Sequence, residues 1–182
     1  MRILAGQFKG KSLSAGSDLS IRPITNRLKE IIFSIVQEFL RDKKILDLFC
    51  GSGSLGIEAL SRGASHITFV EKEESSLQIL KKNLNSLSID HNLTRIVMSD
   101  ALTFLEHNRS GYHIIFSDPP FKYPLLQQLI DQVFLKNSLD LNGLLIVHHE
   151  IDNPLQFDNV AYKILKQKKV GRSLLSFICK EA

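Results

Sequence analysis

Ile45-Leu46-Asp47-Leu48-Phe49-Cys50-Gly51-Ser52-Gly53-Ser54-Leu55-Gly56 sets a short apolar run directly against a G-x-G-x-x-G pattern and the start of a helix. Glycines in a strand-to-helix loop permit a tight turn and let the backbone come close to a ligand. An acid, Glu71, closes the next apolar run, where a carboxylate can take both hydroxyls of a ribose. Strand, loop, helix and distal acid in register predict an α/β domain with a Rossmann-like loop for a nucleoside cofactor.

The alternation continues outward from that loop. Lys44–Phe49 reads as a strand, Leu55–Leu60 as a helix and His66–Val70 as a second strand. Ser75–Leu87 carries Leu77, Leu80, Leu84 and Leu87 at helical spacing. Thr94–Met98, Tyr112–Ser117 and Leu141–His149 are further strands, separated by helices near Ala101–Glu106 and Leu125–Phe134. Nearly continuous apolar strands alternating with helices predict a mostly parallel sheet covered on both faces. Val160–Val170 and Ser173–Lys180 meet at Gly171 with no room for a crossover helix, so they predict an antiparallel hairpin at the sheet edge.

Upstream, Arg2–Ala5 and Lys11–Leu13 suggest a small hairpin around Gly6 and Gly10. Thr25–Leu40 presents Leu28, Ile31, Ile32, Ile35, Val36 and Phe39 as the apolar face of one helix. The expected division is residues 1–43, a basic hairpin-and-helix appendage, and residues 44–182, the α/β domain. The 182 residues, 43% hydrophobic and 23% charged, have the composition of a globular protein rather than a disordered one. No apolar run approaches membrane-spanning length, and the opening residues reach Gln7 and Lys9 too soon for a secretory signal. Two cysteines, Cys50 and Cys179, make neither a disulfide framework nor a four-thiolate metal site. The expectation is a cytoplasmic, monomeric protein without metal or membrane partner.

Positive charge is unevenly placed. Residues 1–44 hold Arg2, Lys9, Lys11, Arg22, Arg27, Lys29, Arg41, Lys43 and Lys44 against four acids, and Lys163, Lys166, Lys168, Lys169 and Arg172 cluster without an acid. Such asymmetry fits a polyanionic partner. The late cluster also reads as an edge strand guarded by lysines.

Ile114-Ile115-Phe116-Ser117-Asp118-Pro119-Pro120-Phe121 carries the chemistry. An exocyclic amine on a nucleobase is a poor nucleophile because its lone pair is delocalised into the ring. A carboxylate (Asp118) and a backbone carbonyl (Pro119), both accepting from the NH2, draw it towards a nucleophilic geometry. Pro119 and Pro120 stiffen that backbone. Phe121 offers a stacking face worth roughly 1–3 kcal/mol to a base turned out of its stack. The cofactor suited to this is S-adenosyl-L-methionine. Asp47 stands where it can meet a cationic amino group, and Asp100 where it can accept from an adenine amine, though Asp100 equally suits a helix N-cap. The candidate cofactor set is Asp47, Phe49, Gly51, Gly53, Gly56, Glu71, Lys72, Asp100, Ala101 and Asp118. The catalytic set is Asp118, Pro119, Pro120 and Phe121.

With these residues in view, the chain resembles the bacterial 16S rRNA guanine-N2 methyltransferases of the guanine-966 type, nearly end to end. The opening Arg2–Lys11, the stretch Ile21–Phe33, the Asp47–Gly56 loop, Glu71, Asp100 and Asp118–Phe121 fall in that family's order. The resemblance implies a class I methyltransferase fold, with a seven-stranded sheet whose last strand is antiparallel. It also implies a 16S rRNA substrate, in the 30S subunit or an assembly intermediate, and that Arg22, Thr25 and Arg27 lie beside the cofactor and the RNA; Arg2, Lys9 and Lys11 of the basic N-terminal part are the further candidate RNA contacts. Asn26 replaces an acid common in the family. An adenine-N6 methyltransferase shares every one of these motifs, and a dinucleotide oxidoreductase shares the glycine loop alone. His148 and His149 read as a polar strand end, and Cys50 as packing.

Overall fold

A computed structural model describes residues 1–15, 24–156 and 162–181. After helix α1 (Asn26–Val36) the chain runs β1 (Lys44–Leu48), α2 (Ser54–Ser61), β2 (His66–Glu71), α3 (Glu74–Ser86), β3 (Thr94–Met98), α4 (Ala101–His107), β4 (Tyr112–Ser117), α5 (Leu126–Leu135), β5 (Leu139–Glu150), β6 (Tyr162–Val170) and β7 (Ser173–Lys180). The seven strands form one sheet in the order β3-β2-β1-β4-β5-β7-β6. Pairings from β3 through β5 are parallel, and β7 is antiparallel to both β5 and β6. The expected mostly parallel sheet with an antiparallel last strand is therefore the observed one.

Strand alternation divides the core into two layers. Ile45, Ile67, Phe69, Ile114, Phe116 and Phe177 face the layer covered by α1, α2 and α3. Leu46, Leu48, Val70, Ile115, Leu145 and Ile178 face α4 and α5. Because β1 is covered on both sides, Asp47 is buried with its apolar neighbours, under the start of α2.

The N-terminal hairpin is shorter than expected. It pairs through the single bridge Arg2↔Ser12, with Ile3 N–H donating to the Lys11 carbonyl and Leu13 N–H to that of Met1. Beyond Ile3 the chain leaves its partner because Leu4 and Ala5 donate instead to the buried carboxylate of Glu58 on α2, at 2.8 and 3.0 Å. Ile3, Leu13, Leu28, Ile32 and Phe33 join the same buried cluster as β1 and α2. Helix α1 also stops short of Leu40. Gln37–Phe39 tightens into a 3-10 turn, which swings Phe39 out to 64% exposure instead of onto the apolar face. Arg22 and Pro23, and the expected start of the late hairpin at Val160, lie outside the described residues. No helix among the described residues is long and apolar enough to cross a membrane.

Candidate active site

The carboxyl ends of β1, β2, β3, β4 and β5 bring the predicted residues to one rim of the sheet, the position where open α/β sheets bind ligands. After β1 the chain turns through Phe49 (φ 57°), Gly51 (φ 53°) and Gly53 (φ 83°) into α2. The three glycines of the loop serve different ends. A Cβ on Gly53 would stand 2.3 Å from Leu80 Cδ1, and one on Gly56 would stand 2.3 Å from the Phe69 ring, so both permit close packing of α2. Gly51 alone faces open space. Its N–H donates to Glu71 Oε2 at 3.0 Å, while Glu71 Oε1 accepts from the amides of Lys72 and Glu73. Glu71 thus pins the loop to the end of β2 and keeps about one of a carboxylate's four lone-pair directions, on Oε2, for a hydroxyl.

Asp47 accepts from Gly56 N–H at 2.9 Å, holding the first turn of α2 from beneath. Burial raises its carboxyl to about 8. The Gly56 amide opposes this, and the nearby negative charges of Asp118 and Glu71 add to it. Asp100 caps α4, accepting from Leu102 and Thr103 through Oδ1, and is exposed. The N-cap reading is therefore correct, and Oδ2 accepts nothing among the described residues. Ala101 is buried beneath it, and Lys72 is exposed.

Asp118 lies just past β4, with its Oδ1 2.7 Å from His148 Nδ1. Pro119 is buried and Pro120 exposed. The Pro120 carbonyl accepts from Tyr123 N–H in a turn, whereas the Pro119 carbonyl accepts nothing among the described residues. Phe121 is 47% exposed and its ring lies edge-on to His148. A shallow recess, lined in part by Pro119, Phe121, Tyr123 and His148, opens beside this loop. Carboxylate, free carbonyl and exposed ring are thus together, as base-amine chemistry requires.

Two residues at this rim escaped the sequence reading. Tyr123 packs edge-on against Phe49 at 5.2 Å, and its hydroxyl is raised by burial and by the charge of Asp100. It joins the Asp118 loop to the glycine loop. His148 is the second. Its signal is the β4–β5 register, which pairs Ser117 with Val147 and so places the following residues, Asp118 and His148, side by side.

The residues assigned to RNA are more dispersed. Arg2, Lys9 and Lys11 are exposed on the hairpin and Arg27 on the first turn of α1. Thr25 caps α1, accepting from Leu28 N–H at 3.3 Å. Cys50 is buried with its thiol pushed well up by that burial, which leaves it no thiolate character. His149, held low by burial, is satisfied by the Glu150 and Asn153 carbonyls and by Ser176. Among the described residues no cluster of His, Cys, Asp and Glu is arranged to hold a metal ion.

A family model described as conserved hypothetical protein 95 matches residues 1–179. The chain belongs to this family. Among its relatives, ribosomal RNA small subunit methyltransferase D of Haemophilus influenzae is 35% identical, aligned over 94% of this chain and 89% of its own length. The Escherichia coli protein of the same name is 33% identical over 100% of this chain and 91% of its own. A solved Escherichia coli structure, described as a methyltransferase, superposes with a TM-score of 0.90 at 33% identity, covering 100% of this chain and 98% of that one. The match to the conserved hypothetical protein 95 family thus includes the segment that forms the N-terminal hairpin.

Proposed function

We propose that the protein methylates the exocyclic N2 amine of one guanine in small-subunit rRNA, of the guanine-966 type, with S-adenosyl-L-methionine as donor. The observation that carries the reading is the juxtaposition at the end of β4. There the Asp118 carboxylate is fixed on one oxygen, the Pro119 carbonyl is unengaged among the described residues and Phe121 is exposed beside a recess. The full-length relatives named for small-subunit rRNA methylation support the same substrate class.

The rim fits the cofactor. Gly51 at positive φ faces open space, Glu71 retains acceptor capacity and Asp100 Oδ2 accepts nothing among the described residues. Two buried hydroxyls, Ser54 Oγ at the head of α2 and Ser117 Oγ at the end of β4, also lack partners among the described residues. Unsatisfied buried groups are few in native proteins, and such groups commonly mark where a ligand or water binds. When bound, S-adenosyl-L-methionine supplies a methyl group on a sulfonium that departs as a neutral thioether. Asp118 and Pro119 accept from the two amine hydrogens and so direct the N2 lone pair towards that methyl. One N2 proton then leaves, with Asp118 as the adjacent base. Phe121 stacks the flipped base, and Arg2, Lys9, Lys11, Arg27 and the segment carrying Arg22 hold phosphates of 16S rRNA in the 30S subunit or an assembly intermediate.

The test is methyl transfer from radiolabelled S-adenosyl-L-methionine to 30S particles from cells lacking the gene, followed by nucleoside mass spectrometry. A single N2-methylguanosine is the expected product, and N6-methyladenosine would move the enzyme to adenine. Asp118→Ala is expected to keep cofactor binding and lose turnover. Retained turnover would overturn the mechanism.

A further inference from the structure

We propose that His148 is the positioning residue for Asp118, holding one carboxylate oxygen and leaving the other free for the amine, and that Ser173 in turn fixes His148. The inference rests on the role given to Asp118 above. It begins from a chain of contacts running across three strands. His148 Nδ1 is 2.7 Å from Asp118 Oδ1, His148 Nε2 is 2.9 Å from Ser173 Oγ, and Ser173 Oγ donates to the Val170 carbonyl at 3.0 Å. Asp118 Oδ2 has no partner among the described residues.

Counting protons along this chain decides the orientation. The Val170 carbonyl and an ionised Asp118 are both acceptors only, while Ser173 has one proton to give. If the imidazole carries both protons, Nδ1–H donates to Asp118, Nε2–H donates to Ser173 Oγ, and the hydroxyl donates to Val170. If it carries one, the Ser173 hydroxyl rotates to donate to Nε2, and the remaining proton stays on Nδ1, facing Asp118. The opposite tautomer would set the Nδ1 lone pair against the carboxylate. In each permitted state the carboxylate therefore receives an N–H on Oδ1, and Oδ2 is left outward.

The surroundings make that hydrogen bond strong. The side chains of His148 and Asp118 are 10% and 24% exposed, so the contact is partly shielded from water and charge-assisted. The Phe121 ring lies 5.9 Å from the imidazole at 71°. The stacking ring and the carboxylate are thus braced by one side chain. Ser173 sits at the β6–β7 turn, paired with Glu150 on β5 and Val170 on β6. The edge hairpin thereby reaches the catalytic loop through two hydrogen bonds.

The test compares His148→Ala, His148→Asn and His148→Gln in the full chain, reading kcat and KM on 30S particles and binding of S-adenosylhomocysteine by calorimetry. The asparagine amide reaches the place of Nδ1, and the glutamine amide the place of Nε2. His148→Ala is expected to lower kcat by about 100-fold, as small misplacements of a reacting geometry do, with KM and S-adenosylhomocysteine affinity little changed. His148→Asn is expected to recover most of the loss, and His148→Gln to recover none. Asparagine performing no better than alanine, or alanine leaving kcat unchanged, would overturn the role. If His148→Ala fails to fold by circular dichroism, the asparagine–glutamine comparison carries the test alone. Asp118→Ala in the same assay separates the two failures. An active Asp118→Ala removes the functional reading itself, whereas an inactive Asp118→Ala beside a fully active His148→Ala removes only the role of His148.

Discussion

Asp47 occupies a position of β1 that strand alternation turns inward, beneath the head of α2. Burial, reinforced by Asp118 and Glu71, raises its carboxyl from 3.8 to about 8. The folded protein therefore holds a proton that the unfolded chain releases above about pH 4, so this group's contribution to stability is whole below about pH 4 and falls until about pH 8. Asp47→Asn keeps an oxygen for Gly56 N–H and removes the titration. The melting temperature of the variant is expected to gain on that of the natural protein as pH rises from about 5 to about 8, in melts recorded at several pH values. Parallel curves would show that Asp47 is not held neutral. At this scale the sequence was a partial guide. The place of Asp47 in the strand was legible, but its engagement with Gly56 was not, because that depends on how closely Gly53 and Gly56 let α2 pack onto β2 and α3.

Among the elements, β6 and β7 differ in composition in a way that explains their order. Ser173–Lys180 carries an apolar run, Leu174–Cys179, interrupted only by Ser176, and lies inside the sheet, between β5 and β6. Tyr162–Val170 carries Lys163, Lys166, Lys168 and Lys169, all exposed, and forms the outer edge. Lysines on an edge strand deter pairing with other chains, and next to the turn that holds Ser173 they also suit RNA phosphates. Lys166→Ala with Lys168→Ala is expected to weaken binding to 30S particles and to lower the slope of log affinity against log salt by roughly one for each phosphate no longer neutralised. S-adenosylhomocysteine affinity should be unaltered. An unchanged slope would leave these lysines as edge protection only. The hairpin itself was legible from Gly171 and the absent crossover helix. The contact of His148 with Asp118 was not, since residues 30 apart meet only through the β4–β5 register.

Across the whole molecule, the buried carboxylate of Glu58 is the charged anchor of the N-terminal hairpin on α2, beside the hydrogen bonds of Phe8 N–H to Ser61 Oγ and of Ser14 N–H to Asn83 Oδ1. Glu58 accepts from Leu4 N–H, Ala5 N–H, Lys29 Nζ at 3.4 Å and Arg62 Nε at 2.9 Å, which uses about all the lone-pair directions a carboxylate offers. Lys29, fully buried, also donates to the Arg2 carbonyl at 2.7 Å, and burial lowers its ammonium although Glu58 opposes that shift. This network sets the backbone beneath Arg2, and with it the proposed RNA contacts of the hairpin. The amphipathic pattern of α1 gave no warning of it, because Lys29 falls among inward-facing apolar residues and its partner is 29 residues away. Glu58→Ala strands a buried ammonium and two backbone donors, and breaking one side of a buried pair costs about 3–5 kcal/mol. Replacing both charges is far milder, since an apolar residue in place of a buried ion leaves no charge unpaired. Glu58→Gln with Lys29→Met keeps an oxygen for one of the two amides, Leu4 or Ala5, and is expected to recover part of the stability forfeited by Glu58→Ala in urea unfolding. If the single variant unfolds at the natural urea concentration, the hairpin is held by its apolar contacts, Ile3 and Leu13 against α1 and α2, together with its hydrogen bonds to Ser61 and Asn83, and the carboxylate only orients it.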